Sequence, residues 1–68
     1  MLRRWSVQIK QKWLDNDFLE SKATMRKRAV EEYNLQINKN TNPIVVSITE
    51  DWSYDNSVLE LTVYYQVS

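Results

Sequence analysis

The chain has 68 residues, nine Lys and Arg against nine Asp and Glu, and no cysteine, histidine or glycine. Without Cys or His there is no disulfide, no thiolate nucleophile, no Cys/His zinc site and no imidazole base, and without Gly there is no phosphate-cradling glycine loop. One small domain over residues 1–68 is expected, and no catalytic residue, metal ligand or cofactor is assigned.

Charge divides the chain. Residues 1–40 hold all nine bases and five acids (Asp15, Asp17, Glu20, Glu31, Glu32), and residues 41–68 hold four acids (Glu50, Asp51, Asp55, Glu60) and no base. A net +4 is thus followed by −4. Such a split is satisfied within one fold, across a head-to-tail interface or by a charged partner.

From Arg4 to Trp13 the apolar residues Trp5, Val7, Ile9 and Trp13 share one parity, and Arg4, Gln8, Lys10 and Lys12 share the other. Period two predicts a strand with one buried and one basic face. Asp17 and Glu20 have the spacing of an N-cap and its third helical residue, which predicts a helix from about Phe18 to about Asn34. Phe18, Met25 and Ala29 form one apolar edge of it and Leu19, Ala23 and Val30 another, with Tyr33 between them near the end. Lys22 and Arg26, projecting between the edges, are expected to run along the sheet with their charged heads in water.

Asn34 to Asn42 is polar, ends at Pro43 and predicts a connection with Leu35 and Ile37 tucked back onto the fold. Two alternating runs follow, separated by Asp55-Asn56, the pair best suited to a two-residue hairpin turn in a chain without glycine. That turn pairs residues whose numbers sum to 111: Ile44 with Val67, Val46 with Tyr65, Ile48 with Val63, Glu50 with Leu61 and Trp52 with Leu59 on the inner face. On the outer face Asp51 meets Glu60, a like-charge pair that Arg4, Lys10 and Lys12 of the first strand are expected to relieve. The predicted fold is α+β, a β-α-β-β unit whose three-stranded, mainly antiparallel sheet packs on one helix with the last strand central.

Three functions compete, none of them enzymatic. The first is a protein–protein interaction or assembly module, homo-oligomeric or docked on a larger protein, of the kind that phage-type reading frames encode as a virion component or host-protein inhibitor. Its interface candidates are Trp13, Lys22, Arg26, Tyr54 and Tyr64. A core below roughly 70–80 residues rarely supplies more than about 3–5 kcal/mol unaided, which favours association. The second is a nucleic-acid-binding accessory protein using Arg3, Arg4, Lys10, Lys12, Arg26 and Arg28. The third is a binder of a planar, flavin-like ligand at an oligomer interface. No apolar run predicts a membrane span, and no secretion signal is read at Met1-Leu2-Arg3-Arg4-Trp5, so a cytoplasmic or virion-associated location is expected.

Two resemblances accompany these readings. The order strand, helix, long hairpin resembles the topology of dodecins, small flavin-binding oligomers. Ala29-Val30-Glu31-Glu32-Tyr33, followed by a hairpin closing on Leu61-Thr62-Val63-Tyr64-Tyr65, is similar to the C-terminal part of the lysozyme-like baseplate-wedge family of contractile phage tails. That family places Glu-Pro-Arg after the tyrosine where this chain has Asn34-Leu35-Gln36, and no functional residue is carried over from either family.

Overall fold

A computed structural model describes residues 1–67. Its elements are β1 (Leu2–Lys10), α1 (Lys22–Tyr33), β2 (Ile44–Trp52) and β3 (Val58–Gln66), and the sheet order is β1-β3-β2 with both pairings antiparallel. This is the expected α+β architecture. The last strand is central because it alternates apolar residues most regularly: Leu59, Leu61, Val63 and Tyr65 are all buried.

β1 runs against β3 with Trp5 opposite Val63, Val7 opposite Leu61 and Ile9 opposite Leu59. α1 lays Met25, Ala29 and Tyr33, four residues apart, on this half of the sheet. Tyr33 sits edge-on between Trp5 and Tyr65, with ring centroids 5.6 and 6.3 Å away. Tyr33 is therefore a core residue rather than one between two helix edges.

The helix starts later than its sequence signal. Asp15 is the reason: its Oδ1 accepts the amides of Asp17 and Phe18 at 2.9 and 3.2 Å, so the acids close a turn instead of capping a helix. Leu14 N–H donates to Phe18 O, and Trp13 and Leu19 form an isolated antiparallel bridge, so residues 13–19 make a short hairpin-like finger. Ser21 is the true N-cap, its hydroxyl accepting from Thr24 N–H at 3.2 Å. Phe18, expected on the apolar helix edge, is 64% exposed on the finger.

The helix also ends later. A π-helical stretch, Asn34–Asn38, and a last turn, Lys39–Thr41, carry it on through the expected connection until Asn42 turns left-handed at φ 46°. Ile37 packs against the core as expected, whereas Leu35 is exposed.

In the β2/β3 hairpin the sum of 111 holds from Ser47/Tyr64 to Trp52/Leu59, and a bulge at Val46 then shifts it by one. Ile44 consequently lies opposite Gln66 on the outer face and Val45 opposite Tyr65 on the inner face, in place of the expected Ile44/Val67 and Val46/Tyr65 pairs. The turn is a four-residue loop, Tyr54 to Ser57, not a two-residue one: Ser53 N–H donates to Val58 O and Asn56, at φ 62°, returns its N–H to Ser53 O. Both loops give the same register. Asp55 ties this one together by accepting from the Ser53 and Ser57 hydroxyls, and these bonds hold its carboxyl below the ordinary aspartate value.

Candidate interaction surface

α1 lies over β1 and β3, and its backbone stays clear of β2. Only long side chains cross the gap. Lys22 Nζ stands 4.8 Å from the centre of the Trp52 ring, the Arg26 guanidinium 6.0 Å from it, and Arg26 Nε donates to Glu50 at 2.7 Å. Lys22 and Arg26 thus behave as expected, laid along the sheet. Arg26, with Glu50, borders a groove of about 380 Å³ whose floor and inner wall are Val30, Tyr33, Ile48, Leu61 and Val63. The groove is apolar with a polar rim, and no described segment of the chain fills it.

The same asymmetry appears in the whole surface. Among the described residues thirteen large apolar residues are exposed against eight hydrophobic residues buried, and the exposed ones concentrate in two places. One is β2, where Ile44, Val45, Val46 and Ile48 face solvent. The other is the finger, with Trp13, Leu14, Phe18 and Leu19. The accessible surface is 5018 Å², against roughly 4500 Å² for a folded monomer of this mass, and the radius of gyration is 13.4 Å against about 11 Å. The molecule is a slab of 46 × 23 × 13 Å rather than a ball.

The finger is held rigidly at its root. Glu20, 1% exposed, receives both Arg28 nitrogens, with Nε to Oε2 at 2.7 Å, while Arg28 also donates to Lys10 O. Glu20 N–H closes on Lys12 O, and Gln11 Nε2 donates to Glu20 O. The Arg28 hydrogen bonds hold the Glu20 carboxyl below the ordinary glutamate value, outweighing the burial that pushes it up. The Glu20–Arg28 pair was not visible in the sequence, because Glu20 reads as a first-turn helix residue and Arg28 as an exposed one. Tyr33 carries the other buried polar atom of note. Its hydroxyl has no hydrogen-bond partner, and burial raises its pKa, with Tyr65 adding to the shift.

Of the interface candidates, Trp13 and Tyr54 are exposed, Tyr64 is half-buried on the outer face, Arg26 rims the groove and Lys22 lies over Trp52 beside it. The exposed apolar residues outside the interface candidates are Ile48, expected on the covered face of the sheet, Val30, expected on one apolar edge of the helix, and Leu14, Phe18 and Leu19 of the finger. The six basic candidates do not converge. Arg26 and Arg28 are bound to Glu50 and Glu20 on opposite flanks of α1, Arg3 and Arg4 lie at one end of β1, and Lys10 and Lys12 lie at the other. Nor do Arg4, Lys10 and Lys12 relieve Asp51 and Glu60: the residue opposite Glu60 on β1 is Gln8, and the ion pairs among the described residues are Arg26–Glu50 and Arg28–Glu20.

Among the described residues no helix is long and apolar enough to cross a membrane. Among the described residues no group of three or more acids gathers as metal ligands would. No family model matches the chain, nor does any curated protein or solved structure, so the likeness to dodecins and to the baseplate-wedge family rests on element order and a few residues alone.

Proposed function

We propose that the protein is a non-enzymatic interaction or assembly module that docks through the inner face of β2 and its adjoining groove, with itself or with a larger protein as partner. The observation that carries this reading is the uncovered β2: a nine-residue edge strand whose apolar residues face solvent beside a groove the chain's own helix does not fill. Exposed apolar patches rimmed by polar residues mark interaction sites. The location that goes with this reading is the cytoplasm or a virion.

The test is Ile48→Lys. Ile48 is 56% exposed, so the variant keeps its fold, and we expect it to lose partner capture from host lysate or concentration-dependent mass in light scattering, whichever the native chain shows. Unchanged capture and unchanged mass would overturn the reading. Tight, salt-sensitive binding of oligonucleotides near physiological ionic strength would replace it with the nucleic-acid alternative.

A further inference from the structure

Resting on that interaction reading, we infer that the partner of the β2 edge is the β1 edge of a second copy of this chain, joined head-to-tail so that the sheet continues from molecule to molecule with all helices on one side.

Both outer strands are open. Ser53 N–H bonds Val58 O and Gln11 N–H bonds Ser57 O, and antiparallel pairing alternates from there. The backbone groups of Ile48, Glu50 and Trp52 therefore point out of one edge, and those of Arg4, Ser6 and Gln8 out of the other, together with Lys10 N–H, while Lys10 O is already taken by Arg28. Nine-residue edge strands left unpaired over most of their length are templates for another strand.

Charge decides which strand. The outer face carries Arg4 and Lys10 along the β1 edge, and Asp51 with the neighbouring Glu60 along the β2 side; among the described residues none of the four is in an ion pair. A symmetric β2-to-β2 contact sets acid near acid, and β1-to-β1 sets base near base. Only the unlike edges attract, and this contact also relieves the Asp51/Glu60 repulsion that the single molecule leaves standing.

The apolar faces decide orientation. Ile48 lies on the helix side of the sheet, as do Trp5 and Val7 of β1. Keeping these on one continuous face requires the added β1 to run parallel to β2. Within one molecule Gln8, Glu60 and Asp51 form a single row across the sheet. A slide of two residues between copies keeps the faces matched and sets Lys10 beside Asp51. The neighbour's Val7 then lies level with Ile48, with Trp5 next along the same face, and its finger comes level with the exposed Tyr54.

A head-to-tail contact leaves one free edge at each end, so it propagates beyond a dimer unless it closes into a ring. The test is sedimentation over a range of concentrations and salt, on the native chain, Lys10→Glu and Asp51→Lys, singly and mixed. Both sites are exposed, and circular dichroism checks that each variant folds. The native chain is expected to grow past a dimer with concentration and to shrink as salt rises. Each variant alone should associate at least tenfold more weakly. Their equimolar mixture should regain assembly, since an acidic β1 edge then meets a basic β2 edge in one contact and the native pair forms in the other. A Lys10→Glu chain that assembles like the native one, or a mixture that does not recover, overturns the inference and leaves the Ile48 reading in place. A native chain that stays monomeric throughout overturns the inference as well, and the interaction reading is then decided by lysate capture with Ile48→Lys.

Discussion

The two halves of the sheet obey the same alternation yet end in opposite states. Leu59, Leu61, Val63 and Ile9 lie under α1 and are buried, while Ile48, in the same row as Val63 and only one strand further out, is more than half exposed. A helix is about 10 Å wide and three strands span more than that, so one helix set over β1 and β3 leaves β2 bare. Period-two patterning tells which residues share a face. It does not tell whether anything lies on that face.

The difference is sharpest in truncation. Leu59→Ala should cost about 2–5 kcal/mol and leave so small a domain largely unfolded, whereas Ile48→Ala should change monomer stability by less than about 0.5 kcal/mol. Urea melts compare the two, and equal losses would mean that β2 is covered. Next in size is Arg28→Met, which strands the buried Glu20 carboxylate and should cost about 1–3 kcal/mol at neutral pH. The loss should shrink in acid, where Glu20 protonates in either chain. In the native chain the pair's contribution is complete above the unfolded value near 4.5 and disappears as pH falls through the lower folded value. A flat stability profile between pH 5 and pH 2 would deny Glu20 this role.

Tyr33→Phe should be the mildest core change, neutral or stabilising by up to about 1 kcal/mol, because it removes a buried hydroxyl that has no partner. In the native chain the raised Tyr33 pKa makes stability fall once pH passes the ordinary value of 10.0, as the unfolded tyrosine ionises first. The variant should lose part of that alkaline slope in pH-dependent melts, and a markedly destabilised Tyr33→Phe would show that the hydroxyl is bonded.

Much of this fold was legible. Strand parity, the central place of β3 and the hairpin sum follow from local alternation and turn residues, which act over a few positions. The Val46 bulge was not legible, because a run of three β-formers, Ile44 to Val46, fits either face. The helix start was misread because Asp15, Asp17 and Glu20 admit a cap or an Asx turn with equal local sense, and the choice is made by Arg28 drawing Glu20 inward from eight residues away. Of the candidate interface residues, the exposure of the aromatics Trp13 and Tyr54 was legible from their position at element ends. Ile48 was missed, since nothing in a strand's own pattern reports where a helix will rest.

Asn42 and Asn56 occupy the two left-handed positions at which glycine would be the usual residue. At average usage near 7%, a chain of this length would hold about five glycines, and replacing one with another residue narrows the unfolded ensemble by about 0.4–1 kcal/mol where the native backbone allows it. The disordered form of this protein is accordingly stiffer, and poorer in accessible conformations, by an amount on the order of 2–5 kcal/mol. That is comparable to what the folded core of so thin a slab supplies. Part of its resistance to unfolding therefore resides in the state it unfolds to, and Asn42→Gly or Asn56→Gly would give some of it back even while easing the native backbone.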